Sequence, residues 1–582
     1  MVAQGRLRLT PLGAIAIGVV AWLGYVLSLE LRNPRLIPSW HGFLHTAIAN
    51  RFPAGGLIPE NPFFAGEPLP YYWAFHRIGG TAAGWVGLDP LSALRLLTLA
   101  GLVLLVITGV MIGWKLFRSA EAGLLIGVLA LVGLNPAGPG LAIARHLTGD
   151  VALLEQETGA PAVETVFTSN ETADQLMSHN LLGRMYFSTD WRHGENIVWF
   201  FDISSRGLAL ALVLVLVGLT IRERSTTGSL LASALTTALL TAMNPIMGLA
   251  VAAFLGFSLL ILGRRLALSS VAALAAGVLV AAPTFYHLFV HGGGGASINS
   301  PGLIGLKLVN MGINFIVLLP LALLALGIRL GPRTTALRAI VMTGVLLILV
   351  MVTVHLEEGN EHNLTNAAQV LLAVPAVAVL VLHRDGSMRV NARRRLFLAS
   401  LIFVPVALGT WLAFDGRPAL PFRIESGELL RDPASDPLPR LYHWVKQETP
   451  RNAIFITDPD QVVKMSGNVS ELPAFTGRTL FLDHPSYLTT PYPDAARRQL
   501  IARVMADGSA SNSEDAAYLW RVRRTYPSSG ASPRPLYLIT YKADDPVLLA
   551  KLEAANGAPR FQQGFVAVFQ VPERSVLPAR GR

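Results

Sequence analysis

Stretches of roughly 20 apolar residues recur along the chain, near 11–29, 91–114, 120–134, 206–221, 229–243, 246–262, 269–290, 308–330, 337–354, 364–382 and 396–414. A helix of that length crosses the hydrocarbon core of a bilayer. Inside lipid, only helices and closed barrels satisfy their own backbone hydrogen bonds. Runs this long and this uniform therefore predict a polytopic α-helical membrane protein of about eleven spans. Two runs, 120–134 and 229–243, are short. The pair 229–262 reads either as two spans or as one long helix broken at Asn244-Pro245, with the amide capping exposed backbone groups. Only 14% of residues are charged, against about 25% in soluble domains. The first run is too long for the core of a signal peptide and reads as a retained span.

The net charge is +10, and much of it sits in short clusters between apolar runs: Lys115/Arg118, Arg222/Arg224, Arg264/Arg265, Arg333/Arg338 and Arg384 to Arg395. With Arg6 and Arg8 placed in the cytoplasm, every cluster falls on the cytoplasmic side, as the positive-inside rule requires. The loops 30–90, 135–205, 291–307 and 355–363 then fall outside, and an odd number of spans delivers the C-terminus there too. This explains the basic charge without nucleic acid. There is no cysteine, which excludes disulfides and cysteine-based metal or redox chemistry.

Beyond about residue 415 the composition changes. Residues 1–415 read as the transmembrane domain and 416–582 as an external domain. In the latter, "AIFITD", "TLFLDH", "PLYLITYK" and "GFVAVFQV" read as strands. "LPRLYHWVKQE", "DAARRQLIARVMA", "SEDAAYLWRVRR" and "DPVLLAKLEAAN" read as helices. Strands alternating with helices predict a small α/β domain. It carries no Gly-rich phosphate loop, no nucleophile elbow and no metal-ligand spacing.

The first external loop opens with "IPSWHGFLHTAIANRF", an amphipathic helix suited to the membrane interface. "PENPFFAGEPLPYYWAFH" follows. Its prolines Pro59, Pro62, Pro68 and Pro70 predict an extended, stiff segment rich in aromatic rings. His41 and His45 lie one helical turn apart, a metal-ligand spacing to which His76 or Glu67 would add a third group. The bland alternative is a pair of hydrogen-bonded histidines.

The loop "PENPFFAGEPLPYYW", placed directly after the first span, resembles the multi-spanning glycosyltransferases of the GT-C superfamily, in bacterial members where an "NP-FFAG-PL-YY-W" loop follows a "D-G-FH" helix. "LPRLYHWVKQETPRNAIFITDP" and "LPAFTGRTLFLDHP" resemble the external domain of the same group. The resemblance implies transfer of a sugar from a polyprenyl-phosphate carrier to a cell-envelope acceptor, at the outer face of a bacterial plasma membrane. That chemistry needs a carboxylate base, cations to stabilise the departing phosphate, and a groove for the prenyl chain. A divalent metal is one source of the cation.

This chain departs from the pattern at the base. "SWHGFLH" contains no acid, and His41 stands about where the family's Asp would be. Either His41 is the base, or a carboxylate elsewhere has taken over (Glu67, or Asp190 and Glu195), or the chain keeps the fold without the reaction. The second external loop, "HNLLGRMYFSTDWRHGENIVWFFDISSRG", gathers Arg184, Asp190, Arg192, Glu195 and Arg206 among aromatic rings. With Tyr71, Tyr72, His76 and Lys307 these are the candidates to contact substrate. The bland reading of the loop is solvated ion pairs, and that of Lys307 a snorkelling anchor. "HLEEGNEHN", with Glu357, Glu358, Glu361, His355 and His362, reads as a solvated acidic turn or as a patch that steers a cation or an amino-sugar acceptor. A transporter and a non-catalytic scaffold are the rival classes. The spans carry almost no charge, which argues against the transporter.

Overall fold

A computed structural model describes residues 40–52, 59–69, 71–133, 203–222, 226–291, 296–356, 361–383, 385–387, 423–425, 428–430, 437–459, 470–483, 492–509, 512–525 and 532–573. The expected spans at 11–29 and 396–414 lie outside these residues, as does most of the second external loop.

The fold is predominantly helical. α1 (Trp40–Ala49) and α2 (Ala74–Val86) belong to the first loop. The bundle comprises α3 (Pro90–Phe117), α4 (Ala120–Val132), α5 (Ser205–Thr220), α6 (Thr227–Met243), α7 (Pro245–Leu262) and α8 (Arg264–His291). β1 (Ala296–Ile298), α9 (Pro301–Asn314), α10 (Leu318–Leu324), α11 (Thr334–Thr353), β2 (Val354–Leu356) and α12 (His362–Val381) complete it. Four of the described helical segments, 90–117, 245–262, 331–353 and 362–381, are long and apolar enough to cross a membrane. Shorter apolar helices accompany them.

Small residues let these helices approach closely, as membrane packing requires where no hydrophobic drive exists between apolar helices. A Cβ on Gly113 would lie 2.2 Å from the Gly123 nitrogen, so α3 and α4 touch backbone to backbone. At Asn244 the chain reverses. A Cβ on Gly248 would lie 2.5 Å from Thr241 Cα, although seven residues of continuous helix span about 10 Å. Residues 229–262 are therefore two helices. Asn244 caps the second through Oδ1, which accepts from the Met247 amide at 3.0 Å. Residues 308–330 do not form one span, since α9 ends at Asn314 and α10 starts anew at Leu318.

The basic connections gather at one end of the bundle. Arg333 donates to the Lys115 carbonyl at 3.3 Å, Thr335 packs against Gly263, and the Gly386 turn packs against the Arg329 carbonyl. At the opposite end Asn244 donates to Asn363 at 2.9 Å, and Asn299 donates to the Val352 carbonyl at 2.8 Å. Gln369 donates to the Ala130 carbonyl at 3.2 Å, satisfying a backbone group that the end of α4 leaves open.

The C-terminal part contains the hairpin β3 (Arg423–Glu425) and β4 (Glu428–Leu430), then α13 (Leu438–Glu448), β5 (Ile454–Thr457), α14 (Leu472–Thr476) and β6 (Thr479–Leu480). α15 (Ala495–Ala506), α16 (Ser513–Thr525), β7 (Leu536–Thr540), α17 (Pro546–Asn556), β8 (Phe561–Gln563) and β9 (Val566–Gln570) follow. The sheet order is β6-β5-β7-β9-β8. β6, β5 and β7 are parallel, while β9 and β8 are antiparallel. β5 and β7 are buried along their whole length, consistent with helices on both faces of a parallel core.

Two expectations for the first loop are corrected. α1 does not spend its apolar face on the membrane interface. Phe43, Leu44, Ala47 and Ile48 pack with Leu441, Tyr442, Phe455 and Phe475 in the core of the α/β part. The proline segment is not extended either. It closes on itself, with Asn61 N–H donating to the Glu67 carbonyl at 2.9 Å and Leu69 N–H to the Pro59 carbonyl at 3.0 Å. Gly66 turns it at φ +85°, a conformation that suits glycine.

Candidate functional site

The first loop is stitched into the edge of the sheet. Leu480 and Asp483 amides donate to the carbonyls of Pro62 and Phe63, and the Ala65 amide donates to Leu480, each at 2.9 Å. This covers the β6 edge, which would otherwise expose unpaired backbone. The buried Glu60 carboxylate anchors the seam. It is ion-paired with Arg51 and with Arg534, and accepts from the Gly66 amide at 2.8 Å and from Thr479 at 3.3 Å. Arg498, fully buried, stacks its guanidinium 3.8 Å over Phe64 and donates to the carbonyls of Ala65 and Phe481.

The "PAFTGR" segment forms the other half of this grip. Asn50, just past α1, donates to the Ala474 carbonyl at 2.8 Å. Arg478 donates to the carbonyls of Lys446 and Thr449 at 2.9 and 2.7 Å, capping the C-terminus of α13. Burial, then repulsion from Arg451 and Arg51, lowers its pKa to about 10.

The grip holds α1 and α2 in place, and with them a histidine pair. His45 Nδ1 and His76 Nε2 share one hydrogen at 2.6 Å, both rings buried. Burial drives the His76 pKa down to about 3, against the opposing pull of the nearby Trp73 and Tyr72 backbone. His76 is thus neutral at physiological pH. Tyr71 and Tyr72 stack at 4.1 Å beside the pair, with their hydroxyls 2.8 Å apart. The short His45–His76 distance fits a shared proton. An ion with metal–nitrogen bonds of about 2.0–2.1 Å in tetrahedral geometry would hold the nitrogens farther apart. Among the described residues no group of three or more His, Asp or Glu side chains is placed to hold a metal. The His41–His45 metal pairing rests on the His41 side chain, which lies outside the described residues.

The other candidates fall as follows. Glu67 is half-buried on the sheet seam, where it acts electrostatically on Arg498 and Tyr492. Arg206 is buried in the first turn of α5. Ile203, just before it, packs with Ala49, Phe75, Leu91 and Leu94, so the end of the second loop meets the first. Asp190, Arg184, Arg192 and Glu195 lie outside the described residues. Lys307 is no snorkelling anchor. It is 2% exposed and donates to Glu361 at 2.8 Å and to the Met351 carbonyl at 3.5 Å. Glu361 in turn is buried, so at that position the acidic turn is not solvated.

Sequence reasoning missed Arg498 and Arg534, and it noticed Glu60 and Glu361 without finding their partners. Glu60 carried one signal, a carboxylate fixed between Pro59 and the turn at Gly66. Arg498 and Arg534 read as ordinary surface charges, and only their partners reveal them.

An apolar helix bundle with polar groups gathered at one of its ends and an α/β part seated on the first loop make up a fold that a solved membrane-protein structure shares. The structure of ArnT from Cupriavidus metallidurans bound to undecaprenyl phosphate matches with a TM-score of 0.50 at 12% identity, covering 96% of this chain and 97% of that one. The apo structure of the same ArnT matches with a TM-score of 0.49 at 12% identity, covering 97% and 99%. Arabinofuranosyltransferase AftD from Mycobacteria matches with a TM-score of 0.48 at 14% identity, covering 97% of this chain and 40% of that one. No family model and no curated protein sequence matches the chain.

Proposed function

We propose that the protein is a membrane glycosyltransferase that moves a sugar from a polyprenyl-phosphate donor to a cell-envelope acceptor. In this reading about eleven spans place the N-terminus in the cytoplasm of a bacterial cell, and the α/β domain, from about residue 416, outside. The single observation that carries it is the polar end of the bundle. There Lys307, buried at the end of otherwise apolar helices, and the Asn244–Asn363 pair lie on the same side as the first loop and Arg206. An ammonium at such a place suits a lipid whose tail is apolar and whose head is a phosphate. The likeness to an ArnT structure bound to undecaprenyl phosphate supports a polyprenyl-phosphate ligand.

A base takes the proton of the acceptor hydroxyl. The oxygen attacks the anomeric carbon, the bond from that carbon to the phosphate oxygen breaks, and the phosphate leaves with the electron pair. Lys307, Arg206, Arg184 and Arg192 are the cations proposed to stabilise it. Tyr71, Tyr72, His76 and Glu195 are proposed to position the sugar and acceptor. Asp190, Glu67 and His41 are the candidate bases. Glu67 also has the structural duty described above, so its test must separate the two.

The experiment is turnover of a panel of radiolabelled polyprenyl-phosphate sugars by wild type, Asp190→Asn, Glu67→Gln and His41→Ala. Loss of turnover in one variant at unchanged melting temperature identifies the base. The absence of any acid from "SWHGFLH" favours a second reading, a catalytically inactive scaffold of the same fold. Wild type that binds donor but never turns it over, across acceptors and metals, would support that reading and refute the enzyme.

A further inference from the structure

Glu361 stands where three segments meet. Its Oε1 accepts from Lys307 Nζ at 2.8 Å and lies 3.3 Å from Nδ1 of His355. Its Oε2 accepts from the Leu356 amide at 3.2 Å. The short ladder of β1 on β2, with Ser297 opposite His355, fixes this corner. An ammonium, an imidazole and a backbone N–H directed at one pair of oxygens form the donor set of an oxyanion site. The N-terminus of α12, beginning at His362, adds the positive end of a helix dipole. Lys307 has three N–H bonds, of which Glu361 and the Met351 carbonyl take two. Among the described residues none takes the third. The Lys307 side chain is 2% exposed and that of His355 49%, so His355 gives the corner an exposed side.

We infer that this corner is an anion site in which the Glu361 carboxylate holds the place of a phosphate group. A phosphomonoester or phosphodiester displaces Glu361 and takes its contacts with Lys307, His355 and the Leu356 N–H. Exchange of one anion for another never leaves the buried ammonium bare, a state that burial of the charge strongly disfavours. A neutral ligand cannot make that exchange. The site therefore selects charged headgroups, and Glu361 sets how strongly they must bind to enter. This inference rests on the proposed donor class for its ligand, and on the geometry alone for the site.

The test uses the purified full chain in nanodiscs, titrated with farnesyl phosphate, farnesol and inorganic phosphate. Glu361→Gln removes the competing charge and is expected to bind farnesyl phosphate about tenfold more tightly than wild type, the size of one charge-assisted hydrogen bond no longer in competition. Farnesol binding is expected not to change. Lys307→Gln is expected to lose the phosphate-dependent part of binding. A gain in Glu361→Gln for farnesyl phosphate alone identifies a lipid phosphate, and an equal gain for inorganic phosphate identifies a phosphate without its lipid. Both outcomes support the site. Should Glu361→Gln unfold, Glu361→Asp replaces it, because the shorter side chain cannot reach Lys307 and the Leu356 amide together. If both the Glu361 and Lys307 variants bind farnesyl phosphate as wild type does while sugar transfer continues, the anion site is overturned and the glycosyltransferase reading survives. If the Glu361→Gln gain appears but no donor turns over in any protein, the site stands and the enzyme reading fails.

Discussion

Replacing Glu60 with Gln should undock the first loop from the α/β part. The carboxylate is 1% exposed and faces the guanidinium groups of Arg51 and Arg534, whose side chains are 9% and 3% exposed. Gln keeps the shape and one acceptor but removes the negative charge, leaving two buried cations near each other. Breaking a buried ion pair by removing one partner costs about 3–5 kcal/mol. At about 3 kcal/mol the undocked population rises roughly 100-fold. The amides of Ala65, Leu480 and Asp483 bridge the seam, so their hydrogen exchange reports docking directly and should accelerate by about that factor. The double variant Glu60→Gln/Arg534→Met should recover part of the loss, since one stranded cation is gone and an apolar chain fills its place. Exchange at these three amides within about threefold of wild type, with an unchanged melting temperature, would refute the claim that Glu60 holds the seam.

Two further outcomes follow from packing and titration. Gly113→Ala should destabilise the bundle by about 1–3 kcal/mol, because the new Cβ would meet Gly123 backbone that cannot rotate away; denaturation in mild detergent measures it, and a neutral result would show that α3 and α4 are less close than described. The His76 pKa lies near 3 in the folded protein and near 6.5 unfolded, so the unfolded chain binds the proton first as pH falls. Stability is therefore full above pH 6.5 and should decline by roughly 1–2 kcal/mol between pH 6.5 and 5. Melting curves of wild type and His76→Asn across that window compare the slopes, and equal slopes would show that His76 is not buried neutral.

Much of the architecture was legible in the residues. Most apolar runs among the described residues gave helices, because a bilayer sets the length of a span, while 308–330 broke into two. The alternating segments from "AIFITD" to "GFVAVFQV" gave the strands β5, β6, β7 and β9. The "PAFTGR" and "PENPFFAG" segments carried the resemblance, and they proved to be the two halves of one docking surface. Asn244 was readable as a cap because an amide inside an apolar run has to satisfy backbone.

The partners were not legible. α1 has an apolar face, and the sequence cannot say whether lipid or protein covers it, because both are equally apolar to Phe43 and Ile48. Glu361 in "HLEEGNEHN" is indistinguishable from its acidic neighbours until Lys307, 54 residues earlier, is found 2.8 Å away. Glu60 and Arg534 are separated by 474 residues. Periodicity and composition act locally, so they fix which elements form. Burial of charge is decided by contacts between distant segments, and only the tertiary structure brings those segments together.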